Sequence, residues 1–228
     1  MASPWPADDP AIGFLGTLEP HQGEDLRARG IARHFRKGQA IFHQGGTSDR
    51  VVVLLKGRVK VSTLSDEGKE IVLAFRGPGD LLGELSAIDG EPRSASVEAI
   101  EPVDAIALTS ADFRAFLIAN PEVSLLLLQM LSRRLRDADR KRVEYGTHDT
   151  VGRVAARLVE LAERYGEPVA RGLEIGLPLS QEELAGWTGS SREAVSKALQ
   201  TLRKVGWVIT ERRRITVIDL ESLRRRSA

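Results

Sequence analysis

The chain of 228 residues contains no cysteine. Disulfide bonds, thiolate zinc sites, iron–sulfur clusters and a cysteine nucleophile are therefore excluded, and this composition is typical of a cytoplasmic protein. The apolar run VSLLLLQML has only half of the roughly 18 residues that a membrane-spanning helix needs. The start, MASPWPADDP, lacks the basic and apolar regions of a signal peptide. We expect a cytoplasmic protein without a membrane partner, and a disordered N-terminus over residues 1–11.

Motifs of the common enzyme classes are also absent. The four histidines are scattered, and no HExxH, GxSxG or GxxxxGK[ST] pattern occurs. The sequence therefore predicts neither an enzyme nor a metal site.

Basic residues are in excess only in the C-terminal part. Residues 1–146 contain 19 Lys and Arg against 21 Asp and Glu, whereas residues 147–228 contain 14 against 11. If the chain binds a polyanion, we expect the C-terminal part to make the contacts.

Short β-branched runs separated by glycine-containing turns occupy residues 35–108, which predicts a sandwich, barrel or roll of antiparallel strands. Helical periodicity follows from Thr109, with a break at which Asn120 can cap a second helix and Pro121 can begin it. That helix is predicted to run to about Tyr145. The residues after it predict a helix, a Gly/Pro-rich loop, two short helices, two strands and a final short helix.

The long helix has a seam with spacings of three and four residues, typical of a coiled coil. The seam consists of Leu128, Leu131, Leu135, Ala138, Arg142 and Tyr145. One interpretation is a helix that packs on the β domain of its own chain, and the other is a homodimer interface. The charged stretch RRLRDADRKR offers few apolar side chains that could pack on the β domain of the same chain. This favours the homodimer.

The segment LSQEELAGWTGSSREAVSKAL predicts two short helices separated by a Gly-containing turn, a helix-turn-helix. Ser180 with Glu183, and Ser190 with Glu193, form two predicted capping boxes. Polar residues at the start of the second helix are placed to read bases in a major groove, and Lys197 lies one turn further on.

Each of these polar groups has a partner on DNA. Arg192 can bond guanine O6 and N7, and Glu193 can accept from cytosine N4. The predicted DNA-backbone contacts are Ser180, Gln181, Arg212 and Arg213. An ion-paired solvent face would use Arg192, Glu193 and Lys197 equally well. The adjacent basic hairpin and the basic excess favour double-stranded DNA.

The connection GELSAIDGEPRSA, residues 83–95, brings an acid and a cation close together. Arg93 can neutralise a phosphate, the Ser94 hydroxyl and the N–H groups around Gly83 can donate to it, and Glu84 can accept from a ribose hydroxyl. A structural salt bridge between Glu84 and Arg93 would use the same residues. The residues alone leave both interpretations open.

The order of these segments resembles the cyclic-AMP receptor protein/FNR family of bacterial transcription regulators. The resemblance is carried by GPGDLLGELSAIDGEPRSASVEA, TVGRVAARLVELA and SQEELAGWTGSSREAVSKAL. It implies an α+β fold with three parts: an N-terminal antiparallel β-roll of the cyclic-nucleotide-binding type over residues 12–119, a dimerisation helix and hinge over 120–146, and a C-terminal winged helix-turn-helix over 147–228.

The resemblance also implies roles for individual residues. The phosphate and ribose positions are Gly83, Glu84, Leu85, Arg93 and Ser94. The base-reading positions on a near-palindromic operator are Arg192, Glu193 and Lys197, with Ser191 as an added contact. Lys197 stands where the family protein has arginine, so a point charge replaces a bidentate fork there.

The positions that would contact the nucleotide base depart from the family. Ala138 and Asp139 stand in place of adjacent Thr and Ser. Asp139 can accept from the adenine N6 amine, or from guanine N1–H and N2–H₂, unless it pairs along the helix with Arg136 or Arg142. The expected effector is therefore cyclic AMP or cyclic GMP.

Taken together, these features predict a homodimeric DNA-binding regulator controlled by a cyclic nucleotide. Two alternatives are a family member with a vestigial pocket, which binds DNA constitutively or responds to another ligand, and a nucleotide-sensing subunit that does not bind DNA. By family analogy alone, the loop 166–178 is a candidate contact for RNA polymerase.

Overall fold

The computed structural model describes residues 13–47, 49–177, 179–211 and 214–227. The predictions for residues 1–11 and for Arg212 and Arg213 lie outside these ranges. After a short 3₁₀ turn, Phe14–Thr17, the helices are α1 Pro20–Arg29, α2 Glu84–Asp89, α3 Ser110–Ala119, α4 Pro121–Thr147, α5 Thr150–Tyr165, α6 Gln181–Thr188, α7 Arg192–Lys204 and α8 Leu220–Arg226. The strands are β1 Ile31–Phe35, β2 Ala40–Phe42, β3 Arg50–Lys56, β4 Val59–Leu64, β5 Glu70–Arg76, β6 Leu81–Leu82, β7 Ser96–Ala99, β8 Val103–Thr109, β9 Gly166–Val169, β10 Gly172–Ile175, β11 Val208–Glu211 and β12 Arg214–Val217.

These elements form two compact units. The first consists of the described residues up to Gly68 together with Leu73–Leu135. The second consists of Lys69–Val72 together with the described residues from Arg136 onward. Helix α4 contributes residues to both units.

The first unit contains two four-stranded antiparallel sheets, with strand orders β1-β8-β3-β6 and β2-β7-β4-β5. Strand β3 is buried on both faces, because successive side chains of a strand point to opposite sides. Val51 and Val53 pack with residues of helices α1, α3 and α4, such as Phe116. Val52 and Leu54 pack into the second core, between the strands of the roll. This double burial explains the uninterrupted apolar run VVVL at residues 51–54.

In the second unit, helix α5 packs against α6, α7 and α8 to form a core, and the sheet has the strand order β11-β12-β10-β9. Helix α5 contributes Val154, Leu158 and Leu161 to this core, and all three are fully buried. Helix α7 buries Val195 and Leu202. The spacing of these residues leaves the opposite face of α7 in solvent.

The predicted fold class is confirmed, and two local predictions are corrected. Strand β1 was not predicted; its residues are mostly exposed at a sheet edge, so they lack a buried-strand pattern. The segment predicted as a Gly/Pro-rich loop forms the hairpin β9–β10. Pro168 is tolerated there because β9 is an edge strand.

Among the described residues, no single helix is long and apolar enough to cross a membrane, although α3 and α4, bent by 114° at their break, reach that length and composition as a pair.

Candidate functional site

The connection at 83–95 begins with a glycine that no other residue could replace without strain. Gly83 adopts φ 80°, and the short helix α2 follows directly. A Cβ on Gly83 would collide with Arg93 Nη1 and would lie 2.9 Å from the Arg50 carbonyl oxygen. Glycine is therefore needed here both for its backbone conformation and for the close approach of Arg93.

Arg93 is held in one orientation by the main chain. Its guanidinium donates to the Gly83 carbonyl at 2.8 Å and to the Arg50 carbonyl. It also stacks over the Phe42 ring, 4.0 Å from the ring centre. Burial lowers the pKa of Arg93, while the carboxylates of Glu84 and Asp49 raise it. The residue is 4% exposed and remains a cation, because arginine does not lose its proton in proteins.

Glu84 is equally buried, and its ion-pair partner is Arg134 rather than Arg93. Arg134 Nη1 donates to Glu84 Oε1 at 2.6 Å, and Arg134 Nη2 donates to the Leu81 carbonyl at 3.0 Å. The interpretation of Glu84 and Arg93 as a structural salt bridge is therefore wrong, because Glu84 pairs with Arg134 instead. Sequence reasoning missed Arg134, which lies on α4, since no local pattern links residues so far apart in the chain.

The other two positions of this connection lie at the surface. Leu85 is exposed on α2, and Ser94 is exposed in the bend before β7. The structure thus brings Gly83, Glu84 and Arg93 together, with Ser94 next to Arg93 in the chain. Among the described residues, no group of His, Asp and Glu side chains could hold a metal ion.

Helix α4 carries the predicted base-contact and seam residues. Ala138 and Asp139 are both exposed. Within the described part of the chain, no ion pair joins Asp139 to Arg136 or Arg142; Arg140 nearby pairs with Asp137 at 2.8 Å and with Glu144 at 4.0 Å.

Only part of the predicted seam is exposed to solvent; the rest packs against its own chain. Leu128 and Leu135 are 59% and 64% exposed, and Arg142 is also exposed. Leu131 packs against the core of the first unit. Leu125, three residues before Leu128 and 61% exposed, extends the apolar stripe toward the start of α4.

The first predicted capping box is confirmed. Ser180 is the N-cap of α6; its hydroxyl accepts from Glu183 N at 3.1 Å, and the Glu183 carboxylate accepts from Ser180 N at 2.8 Å. Gln181, the first residue of α6, is exposed. The exposed amide and the helix N-terminus are groups that can meet a phosphate.

The second predicted capping box is wrong. Ser191, not Ser190, is the N-cap of α7, and its hydroxyl accepts from Ala194 N at 3.2 Å. Ser190 is buried in the turn and accepts a hydrogen bond from Arg153 Nη2 at 3.1 Å. Two adjacent serines before one helix give the sequence no means of choosing the cap.

The exposed face of α7 contains the residues predicted to contact bases. Ser191, Arg192, Glu193 and Lys197 are all exposed. The main-chain N–H of Glu193 and the Ser191 hydroxyl hold the pKa of the Glu193 carboxyl below its ordinary value, with smaller contributions from Arg192 and Lys197. No ion pair connects these residues within the described ranges, so the alternative of an ion-paired face is not formed.

Comparison with known proteins gives a consistent result over most of the chain. Residues 32–120 match the family described as cyclic nucleotide-binding domain, and residues 152–226 match the Crp-like helix-turn-helix domain. A CRP-like cAMP-activated global transcriptional regulator of Mycobacterium tuberculosis is 36% identical over 94% of this chain and 96% of its own length. The cyclic AMP receptor protein of Thermus thermophilus is 34% identical over 77% of this chain and 78% of its own length.

A solved structure has the same fold. FixK2 of Bradyrhizobium japonicum superposes with a TM-score of 0.77 at 24% identity, over 87% of this chain and 98% of that one. The two domain matches and the extent of identity to the mycobacterial regulator establish the relationship. This chain belongs to the cyclic AMP receptor protein/FNR family of bacterial DNA-binding transcription regulators, and it has a cyclic nucleotide-binding domain and a Crp-like helix-turn-helix domain.

Proposed function

We propose that this chain acts as a homodimer whose binding to near-palindromic DNA is controlled by a cyclic nucleotide bound at Gly83, Glu84, Leu85, Arg93 and Ser94. The observation that carries the proposal is the Arg93 guanidinium, buried and held by two main-chain carbonyls beside Gly83. An oriented, desolvated cation of this kind suits a phosphate diester, which has one negative charge and several acceptor oxygens.

Cyclic AMP is the proposed effector, and cyclic GMP is the competing one. The printed names of the mycobacterial and Thermus relatives refer to cyclic AMP. Asp139 makes no ion pair along α4 within the described residues, which supports a role for its carboxylate in accepting from a base amine. Ala138 can contribute only apolar contact.

The C-terminal domain is the proposed reader of DNA sequence. Arg192 and Glu193 would contact base edges in the major groove, with Ser191 and Lys197 as further contacts. Ser180 and Gln181 would contact the phosphate backbone, as would Arg212 and Arg213 outside the described residues. The exposed positions of Ser191, Arg192, Glu193 and Lys197 on α7 support this assignment.

The dimer would form along α4. Leu128 and Leu135, with Ala138 and Arg142 further along, face solvent at heptad spacing, as a partner helix requires. Leu131 contributes less, because it is already packed on its own chain. Binding of the nucleotide would order α4 near residues 136–145 and so bias the dimer toward the state that binds DNA. RNA polymerase is a further proposed partner, by family analogy, through residues 166–178.

Calorimetric titration with each nucleotide tests this function. The wild-type chain is expected to bind cyclic AMP. Asp139→Ser is expected to raise the preference for cyclic AMP over cyclic GMP, because it removes the acceptor that suits guanine. Asp137→Ser, which removes a carboxylate that is already paired with Arg140, is the matched control. No binding of either nucleotide would overturn the effector assignment and leave DNA binding in place.

A further inference from the structure

The last turn of α4 touches the helix-turn-helix directly through Tyr145. Its hydroxyl donates to the main-chain carbonyl of Trp187 at 3.0 Å. Its ring lies against Gly189, so closely that a Cβ built there would be 2.8 Å from Tyr145 Cε1. Gly189 has φ 58° and caps the end of α6. Tyr145 therefore contacts both the end of α6 and the turn that leads to α7.

Arg153 on α5 ties the same turn to the end of α4. Its Nε donates to the Thr188 carbonyl at 2.8 Å, and its Nη1 donates to the His148 carbonyl at 2.5 Å. Its Nη2 donates to the Ser190 hydroxyl at 3.1 Å. The guanidinium also lies 5.9 Å from the centre of the Tyr145 ring. One side chain thus bonds to residues on both sides of Gly189 and to the residue that follows α4.

Charged side chains fix the residues around Tyr145 to α5. Glu144 Oε2 accepts from Arg157 Nη2 at 2.5 Å, and both residues are buried. Arg157 also pairs with Glu160 at 3.1 Å, and Lys141 pairs with the same carboxylate at 3.3 Å. Because Glu144 is the chain neighbour of Tyr145, displacing this part of α4 from the turn would break a buried ion pair.

We propose that Tyr145 is a positioning residue for DNA recognition, through which the conformation of the last turn of α4 sets the position of the turn before α7. Ser191 and Arg192 follow Gly189 by only two and three residues, so a shift of the turn moves the base-contacting end of α7. Sites of recognition tolerate displacements of only about 0.5 Å. Only the step in which a nucleotide orders α4 rests on the proposed function. The effect of Tyr145 on DNA binding does not depend on that step.

The test compares specific with non-specific DNA binding in the full-length chain at saturating cyclic AMP. Tyr145→Phe removes only the hydroxyl, and it is expected to weaken binding to a selected near-palindromic duplex about three- to tenfold. Binding to an unrelated duplex depends on phosphate contacts and should not change. Tyr165→Phe, which removes the hydroxyl of the chain's other tyrosine at the far end of α5, is the matched control.

A double-mutant cycle tests the contact between the ring and the turn. Gly189→Ala places a methyl group against Tyr145, and its loss of specific binding should be smaller in a Tyr145→Leu background, where the ring is absent. The loss of specific binding that remains in the Tyr145→Leu background measures the strain of an alanine at the positive φ of position 189. Thermal melts identify any variant that fails to fold, and Tyr145→Phe keeps the test decisive in that case because it removes a single atom.

The outcomes separate this proposal from the proposed nucleotide control. An unchanged ratio of specific to non-specific affinity in Tyr145→Phe and Tyr145→Leu, together with additive effects in the cycle, would overturn the positioning role. If the wild-type chain binds its duplex equally with and without cyclic AMP while the Tyr145 variants lose specificity, nucleotide control fails and the positioning role is supported.

Discussion

The carboxylate of Glu84 and the guanidinium of Arg134 form a 2.6 Å ion pair, in which the carboxylate is almost fully buried and the arginine only a quarter exposed. The pair joins the connection at 83–95 to helix α4 within the first unit. Glu84 therefore has a structural partner besides any ribose hydroxyl that it binds. The two roles are compatible, because a carboxylate has two oxygens and several acceptor positions.

Removal of Arg134 tests the contribution of this pair to stability. Arg134→Gln would leave the buried Glu84 carboxylate without its cation, and we expect the free energy of unfolding to fall by about 3 kcal/mol. Urea denaturation measures the change. Arg133→Gln, at the exposed neighbouring arginine, should have little effect. Equal stability of the two variants would contradict a structural role for the pair.

The start of α5 should give a pH-dependent contribution to stability. Asp149 accepts from Gly152 N at 2.8 Å and from Arg226 at 2.5 Å. The Gly152 N–H, followed by Arg226, holds the pKa of Asp149 below its ordinary value. A carboxyl whose pKa is lower in the folded state stabilises the fold above its unfolded pKa, and this contribution is lost as the pH falls through the folded value.

Asp149→Ala is therefore expected to lower the free energy of unfolding by about 1 kcal/mol at neutral pH. The difference from wild type should shrink below about pH 4, where the unfolded-state carboxyl becomes protonated. Urea denaturation across this pH range measures it. Asp149→Asn keeps the capping acceptor and should lose less. A difference that stays constant down to pH 3 would argue against the carboxylate as its source.

Because Leu128 and Leu135 are exposed on α4, we expect charges placed at these positions to disrupt the proposed dimer. The double variant Leu128→Lys, Leu135→Lys places two cations in the proposed seam and should yield monomers in sedimentation experiments. Ile118→Lys is the control, since Ile118 is 80% exposed on α3 and lies outside the seam. A double variant that sediments like wild type would place the dimer interface elsewhere.

If α7 reads bases, two arginines of this helix should differ in their effect on DNA sequence preference. Arg192→Ala should weaken binding to the selected duplex by about 1–3 kcal/mol and relax the preference at one base pair. Arg203, exposed in the last turn of α7, should affect all duplexes alike when changed to alanine. Gel-shift measurements on single-base variants of the duplex separate the two effects. Uniform weakening by Arg192→Ala would assign Arg192 to the phosphate backbone.

Local patterns predicted much of this molecule because they depend on neighbouring residues. The beginning of α4 at Pro121 and the Ser180 capping box follow from residues within one or two turns. The edge strands β1 and β9 were missed, because an edge strand needs neither a buried face nor a complete set of hydrogen bonds, and can even include Pro168.

Contacts between distant residues could not be predicted in the same way. The ion pair of Glu84 with Arg134 and the bond from Tyr145 to Trp187 join residues whose proximity arises only from packing. Sequence periodicity assigned Tyr145 to the seam, whereas the structure places its hydroxyl on the end of α6. The family resemblance supplied the proposed phosphate-binding positions but no ion-pair partner for Glu84.

We propose that a cyclic nucleotide held by Arg93 controls DNA binding. Fluorescence anisotropy of a labelled near-palindromic duplex, selected with the full-length chain, tests it most directly. Cyclic AMP should tighten binding at least about fivefold in the wild-type chain, and should have no effect on Arg93→Gln that retains a cooperative thermal melt. Equal affinity of the wild-type chain for the duplex in the absence and presence of cyclic AMP and cyclic GMP would contradict the account.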